Sequence, residues 1–324
     1  MGGEVRMGEA PPPRIWLIAG PTASGKSALA LSLAKALGGE IVNGDSMQVY
    51  RDLRALTARP TPEDEAAAPH HLYGVADAAE AWSAGRWLSA ARATLQKIAE
   101  RGHPAIVVGG TGLYLRALTQ GLADIPPVAA EERLRAEDHL DKLGEAKFRV
   151  ELARVDPAAE VRIAANDRQR LIRAFEVHAA TGIALTDWQA VRGPALVPGT
   201  WRAMVVAPPR QGLYERCDAR LDAMVQNGVL KEVAALLERG LPPTLPAMKA
   251  LGVAAFADYL AGRASLAQAL GRAKTQTRHY AKRQMSWFRT QSPEWERIWG
   301  PAETEEVLRM ATAALDLRAQ TSLT

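Results

Sequence analysis

Hydrophobic positions along this chain follow two rhythms. Short unbroken apolar runs bounded by glycine mark strands buried on both faces, and longer stretches with apolar residues three and four apart mark helices. Ile15-Trp16-Leu17-Ile18-Ala19 is the first run and ends at Gly20. From about Lys26, Leu29, Leu33 and Leu37 share one helical stripe, and Gly38-Gly39 supplies the glycine expected past a helix C-terminus. Glu40-Ile41-Val42-Asn43 is a second strand, leading into Gly44-Asp45-Ser46. Trp87 to Arg101 reads as an amphipathic helix carrying Leu88, Ala91, Leu95 and Ile98, stopped by Gly102. Pro104-Ala105-Ile106-Val107-Val108 is a third strand, with Gly109-Gly110-Thr111 at its end, and Met204-Val205-Val206-Ala207 a fourth. This alternation predicts an α/β fold, a doubly wound parallel sheet.

Residues 126–199 break the rhythm: they are charged and helical and offer no convincing strand. They predict a helical insertion domain between the third and fourth strands. The core is then discontinuous, residues 14–125 and 200–300. Residues 1–13, ending in Pro11-Pro12-Pro13, read as a disordered lead-in with Met7 as an alternative start, and 301–324 as a C-terminal tail helix. A length of 324 residues allows one large domain with an insertion, and a hydrophobic share of 48% is ample for its core.

Gly20-Pro21-Thr22-Ala23-Ser24-Gly25-Lys26-Ser27 fits the G-x-x-x-x-G-K-[ST] pattern between a strand and a helix. Glycines let the backbone wrap closely, successive N–H groups point at phosphate oxygens, and the helix N-terminus adds its positive end. Lys26 would neutralise phosphate charge and the Ser27 hydroxyl would ligate Mg²⁺. The chain has no Asn-Lys-x-Asp motif for guanine, and its third strand ends in Gly109-Gly110-Thr111 rather than an acid. The phosphates therefore need not belong to a nucleoside triphosphate.

Ligands of open α/β sheets bind at the C-terminal ends of strands. Asp45 stands at one such end, as a general base or in the plainer roles of helix cap or metal ligand. Thr111 stands at another, to hydrogen-bond a leaving oxygen or to cap the helix that starts near Leu113. His70-His71 reads as polar packing rather than a metal site, since neighbours on an ordered element point apart and no further ligand cluster supports them.

Composition narrows the setting. The single cysteine, Cys217, excludes a disulfide framework and a Cys-rich zinc site and fits a reducing cytoplasm. No apolar run approaches the ~20 residues of a membrane span, so no membrane partner is expected. The net charge of +4 is mild, but its distribution is not. From Tyr259 to Pro293 there is no acidic residue, while Arg263, Arg272, Lys274, Arg278, Lys282, Arg283 and Arg289 alternate with Tyr280, Trp287 and Phe288. Such a basic helix suits nucleic-acid phosphates.

Together these stretches resemble the tRNA dimethylallyltransferase family, the bacterial tRNA isopentenyltransferases. The matching segments are GPTASGKS (20–27), DSMQVYR (45–51), TARP (57–60), PHHL (69–72) and GGTGLY (109–114). They continue with NDRQRLIR (166–173), YERCDARLDAM (214–224) and TRHYAKRQMSWFR (277–289), in family order. The resemblance implies transfer of a dimethylallyl group from dimethylallyl diphosphate to N6 of the adenosine 3′ of the anticodon in tRNA. It implies that the loop holds the donor's diphosphate with Mg²⁺, that Asp45 is the base, that Thr111 contacts the reacting centre, and that Arg216 or Arg220 meets the diphosphate. RNA contacts are implied at Asp45, Ser46, Met47, Gln48 and Thr111, at Arg133, at Gln169, Arg170, Leu171, Ile172 and Arg173, and on the basic helix at Lys282 and Arg283. The target base must be flipped out of the anticodon loop. A cytoplasmic monomer is expected. Two departures stand out: Lys249-Ala250-Leu251-Gly252-Val253 where the family has Gly-Tyr after a basic residue, and Leu56-Thr57-Ala58-Arg59 for Gly-Thr-Ala-Lys.

Overall fold

The computed structural model describes residues 14–321 apart from 192, 194 and 195. The expected lead-in over residues 1–13 and the last three residues of the tail lie outside the described residues. The chain divides into two compact units, one made of Met1–Thr119 with Leu196–Thr324, the other of Gln120–Ala195.

The first unit is built on a six-stranded parallel sheet. Its strands are β1 (Ile15–Ala19), β2 (Glu40–Asn43), β3 (His70–His71), β4 (Ala105–Gly109), β5 (Trp201–Val206) and β6 (Glu296–Ile298), in the order β3-β2-β4-β1-β5-β6. Helices α1 (Lys26–Leu37), α2 (Pro62–Ala67), α3 (Ala84–Glu100) and α4 (Gly112–Gln120) precede the second unit. Within that unit lie α5 (Ala130–Val155), α6 (Pro157–Arg162), α7 (Arg168–Thr181) and α8 (Leu185–Ala190). The chain then forms α9 (Arg210–Gln226), α10 (Val229–Glu238), α11 (Val253–Leu260), α12 (Leu266–Gln291) and α13 (Pro301–Thr321).

Side chains alternate across a strand, so each apolar run feeds two cores. Trp16 and Ile18 of β1, Ile106 and Val108 of β4, and Met204 and Val206 of β5 pack with Leu29, Leu33 and Leu37 of α1 and Val307 and Ala311 of α13. Leu17, Ala19, Ala105, Val107, Ala203 and Val205 face the other core, with Trp87, Leu95 and Ile98 of α3, Phe256 of α11 and Phe288 of α12. This double burial is why the strands read as unbroken rather than alternating runs. Trp87 donates from Nε1 to the carbonyl of Asn43 at 2.8 Å and stacks on Tyr114 at 4.3 Å, which ties α3 to the strand end that carries Asp45.

Three elements escape the hydrophobic pattern. β3 and β6 are two and three residues long, too short for any period. α2 buries no side chain and is set instead by a capping box, Thr61 accepting from the Asp64 N–H while the Asp64 side chain accepts from Thr61, with Pro62 in its first turn. His71 faces Glu40 at the start of β2, its Nε2 2.6 Å from Oε2. Arg101 and His103 reach the same carboxylate at 2.6–2.8 Å, and these hydrogen bonds, Arg101 foremost, hold it well down at about 2. Among the described residues no group of three His, Cys, Asp or Glu side chains could hold a metal ion.

The second unit has its own core of Leu140, Phe148, Leu152, Leu171, Ile172 and Val177. Gly144, at φ +72°, breaks α5 in two. Buried Asp156 caps α6 through the Ala159 N–H at 2.9 Å and accepts from the Thr186 N–H and hydroxyl at 3.0 and 2.8 Å, pinning α8.

Candidate active site

The loop after β1 is folded tightly because Gly20 leaves room: a Cβ there would lie 2.8 Å from both Ser24 Oγ and the Val206 carbonyl. Ser24 N–H donates to the Pro21 carbonyl at 3.2 Å, closing the turn. Ala23 adopts a left-handed φ of +61°, uncommon for a residue with a Cβ and tolerated where function holds it. The N–H groups of Ala23, Gly25 and Ser27 find no partner among the described residues, so they form a cradle of free donors at the start of α1. The Ser27 hydroxyl is exposed and likewise makes no hydrogen bond there, which leaves it open to a metal ion.

One face of α9 lines this loop at helical spacing, residues 213, 216, 217 and 220. Arg216 donates from Nε to the Ala23 carbonyl at 2.9 Å, and Arg220 donates from Nη2 to the Thr22 hydroxyl. Leu213 and Cys217 pack with Ala281 against Ala23. Both arginines that the sequence offers thus meet the loop.

The electrostatics of the loop are set by two buried cations. Burial lowers the Lys26 ammonium to about 8; Asp45 pulls it up and Arg220 pushes it down. Burial also lowers Arg220, whose Nε is buried with no hydrogen-bond partner among the described residues. Neither cation makes an ion pair there, and Lys26 Nζ contents itself with the Pro21 carbonyl at 3.2 Å. Two desolvated cations without a carboxylate are costly unless a ligand repays them.

Asp45 lies within electrostatic reach of Lys26, Arg220 and the phenols of Tyr73 and Tyr280, both raised chiefly by burial. Asn43 holds its backbone, the side-chain carbonyl accepting from the Asp45 N–H at 2.8 Å and the amide donating to the Asp45 carbonyl at 3.0 Å. Asp45 Oδ1 accepts from the Met47 N–H at 2.9 Å. Thr111 does not cap α4 with its hydroxyl. Instead Oγ1 accepts from the Ser46 N–H at 2.9 Å, joining the ends of β2 and β4. The glycines around Thr111 are required by close neighbours. A Cβ at 109 would meet the Gly44 carbonyl at 2.0 Å, at 110 Gln284 Nε2 at 2.2 Å, and at 112 the Trp287 ring at 2.2 Å.

The residues expected to meet RNA divide. Met47 is partly buried against the core, and Gln48 spends its amide hydrogens on the Thr57 and Ala58 carbonyls at 2.8 and 3.0 Å. On α12, Lys274 pairs with Asp222, Arg278 with Asp218, and Arg272 shares Asp258 with Arg263. The basic stretch is therefore half neutralised from other helices, which the run of sequence could not reveal. Lys282, Arg283 and Arg289 keep no carboxylate partner among the described residues, and Arg283 lies 5.6 Å from the Tyr280 ring. In the second unit Gln169 and Arg170 are exposed, and Arg173 pairs with buried Glu176 at 2.6 Å. Arg133 pairs with Glu137 one turn along α5. Leu171 and Ile172 are corrected: at 0% and 2% exposure they belong to the core, because the outward face of α7 at 169, 170 and 173 turns these two inward. Gln284, which the sequence shows only as part of a motif, is the site residue that sequence reasoning missed. At the two departures, Gly252, at φ +96°, caps the start of α11, and Arg59 lies against Gly74, where a Cβ would meet its guanidinium at 2.3 Å.

Comparison with known proteins places this geometry. A family model described as IPP transferase matches residues 48–291, and one described as isopentenyl transferase matches residues 13–73. The tRNA dimethylallyltransferase of Phenylobacterium zucineum is 59% identical over 286 residues, 88% of this chain and 92% of the relative. That of Caulobacter sp. (strain K31) is also 59% identical, over 89% and 93%. The crystal structure of a tRNA isopentenylpyrophosphate transferase from Bacillus halodurans superposes with a TM-score of 0.66 at 31% identity, covering 96% of this chain and 99% of that one. A eukaryotic dimethylallyltransferase solved while acting on tRNA gives 0.74 at 28% identity, over 85% and 69%. No helix among the described residues is long and apolar enough to cross a membrane.

Proposed function

Because this chain belongs to the IPP transferase family, we infer that it moves a dimethylallyl group from dimethylallyl diphosphate to N6 of the adenosine 3′ of the anticodon in tRNA. The observation that carries this reading is the pair of desolvated cations, Lys26 and Arg220, beside a loop with three free N–H groups and next to Asp45. The donor's diphosphate lies along that loop. Arg216, anchored on the Ala23 carbonyl, stands ready at its edge.

In the reaction the bond between the allylic carbon and the diphosphate oxygen breaks, and a bond from that carbon to N6 forms. Negative charge grows on the departing oxygen, where the loop N–H groups, Lys26 and Arg220 are already oriented, so little reorganisation is needed as the barrier is crossed. The amine is a weak nucleophile until it sheds a proton. Asp45 accepts that proton through the oxygen not engaged by the Met47 N–H and aims the nitrogen at the carbon. Thr111 holds the Asp45-Ser46 segment against the end of β4 and contacts the reacting centre. Ser27, whose hydroxyl is exposed and makes no hydrogen bond among the described residues, would help hold Mg²⁺, which would add positive charge to the leaving group. Exposed Gln169, Arg170, Lys282 and Arg283 receive the RNA backbone and the splayed loop. The protein acts as a cytoplasmic monomer.

The test is direct. Incubate the protein with tRNA, Mg²⁺ and dimethylallyl diphosphate, digest the RNA and weigh the nucleosides; an unmodified adenosine mass refutes the reading. Asp45→Ala should lower turnover by about 10²–10⁴-fold while tRNA still binds. Full turnover in that variant removes Asp45 from the role of base.

A further inference from the structure

Gln284 sits on α12, 5% exposed, and touches both the phosphate loop and the end of β4. Its Oε1 accepts from the Thr22 N–H at 2.9 Å and its Nε2 donates to the Gly110 carbonyl at 2.8 Å. A primary amide offers donor and acceptor at once from one planar group, so it can bridge an N–H to a carbonyl. Each end of the bridge leads to chemistry. Thr22 is gripped by Arg220 through its hydroxyl and lies in the loop whose free N–H groups face the diphosphate. Gly110 precedes Thr111, which accepts from the Ser46 N–H beside Asp45. The absence of a side chain at 110 is what admits the amide, since a Cβ would lie 2.2 Å from Nε2.

We propose that Gln284 is a positioning residue for prenyl transfer: it fixes the separation between the loop that holds the leaving group and the strand end that holds the base. The inference rests on the transfer reading above. Removing the bridge leaves the cradle, Lys26 and both arginines in place, so donor binding persists, while the alignment of amine, carbon and leaving oxygen is lost. The effect falls on kcat rather than on the donor KM.

Two substitutions separate this from a merely structural role. Gln284→Leu keeps the volume and removes both hydrogen bonds. Gln284→Glu keeps the acceptor, but its ionised form sets an oxygen against the Gly110 carbonyl; protonated, the acid again has an O–H to donate and a carbonyl to accept. We expect Gln284→Leu to lose on the order of 100-fold in kcat, as a misplacement of about 1 Å does, with diphosphate affinity within about threefold by calorimetry. We expect the ratio of Gln284→Glu to wild-type kcat to rise as pH is lowered, while the Gln284→Leu ratio stays flat. If Gln284→Leu does not fold, the Gln284→Glu ratio decides alone. A kcat near wild type in Gln284→Leu, a loss confined to KM, or a flat Gln284→Glu ratio overturns the inference. Wild-type protein that transfers nothing to tRNA overturns the functional reading and this inference with it.

Discussion

Lys26 carries its function in its proton. Burial holds the ammonium to about 8, against an ordinary lysine value of 10.5. A bound diphosphate favours the charged form and draws the proton on. Below about 8 the proton is already present; above it, binding must first recruit one. Diphosphate affinity should therefore hold level up to pH about 8 and then weaken by up to tenfold per unit toward the ordinary lysine value. Calorimetric titration across that window checks it, and a level affinity to pH 10 contradicts it. Glu40 runs the other way. Its carboxylate, down at about 2 through Arg101, His103 and His71, stabilises the fold fully above the unfolded value of 4.5 and loses that support as pH falls toward 2. Glu40→Gln should cost on the order of 3 kcal/mol near neutrality, and its stability should depend less on pH between about 5 and 2, as read by urea unfolding.

Among the elements, α12 has two characters. Its N-terminal half is tied down through Lys274–Asp222 and Arg278–Asp218, and its C-terminal half carries Lys282, Arg283 and Arg289 without carboxylate partners among the described residues. Replacing each of these three by Ala should weaken tRNA binding and reduce the slope of log affinity against log salt by about one. Replacing Lys274 should leave the slope nearly unchanged. The same helix shows what sequence can and cannot disclose. Its charge is plain along the chain, as are the four longer strands and α1, because a run or a stripe is a local property. Which cations are neutralised depends on Asp218 and Asp222, a helix away. The loop and Asp45 were legible because phosphate chemistry demands consecutive residues. Gln284 was not, because its two partners lie in the turns that follow β1 and β4, far from it in sequence. Nor were Leu171 and Ile172 as core, since carrying a motif over whole ignores which face of α7 each residue occupies. α2 did leave a signal, Thr61-Pro62 with an acid at 64, but a capping box without an apolar stripe is easily passed over.

At the scale of the molecule, the residues proposed to hold the donor all fall within one of the two units. The loop, Arg216, Arg220, Asp45, Thr111 and Gln284 all belong to the first unit, whereas Arg133 and Gln169 to Arg173 belong to Gln120–Ala195. Phe148 is fully buried in the second unit's core beside Phe175 at 4.8 Å, so Phe148→Ala should destabilise that unit by about 3–5 kcal/mol. Hydrogen exchange should then show α5 and α7 opening ahead of the sheet, while diphosphate still binds; loss of diphosphate binding would mean the two units do not act independently.

The crowding at 110 and 112 binds two distant stretches of the gene to a common fate. A chain that acquired even a methyl group at 112 would have to surrender the indole at 287, and one that acquired it at 110 would have to evict the amide at 284. Neither change can be accepted alone, so variation in these two segments should arrive as matched pairs or not at all.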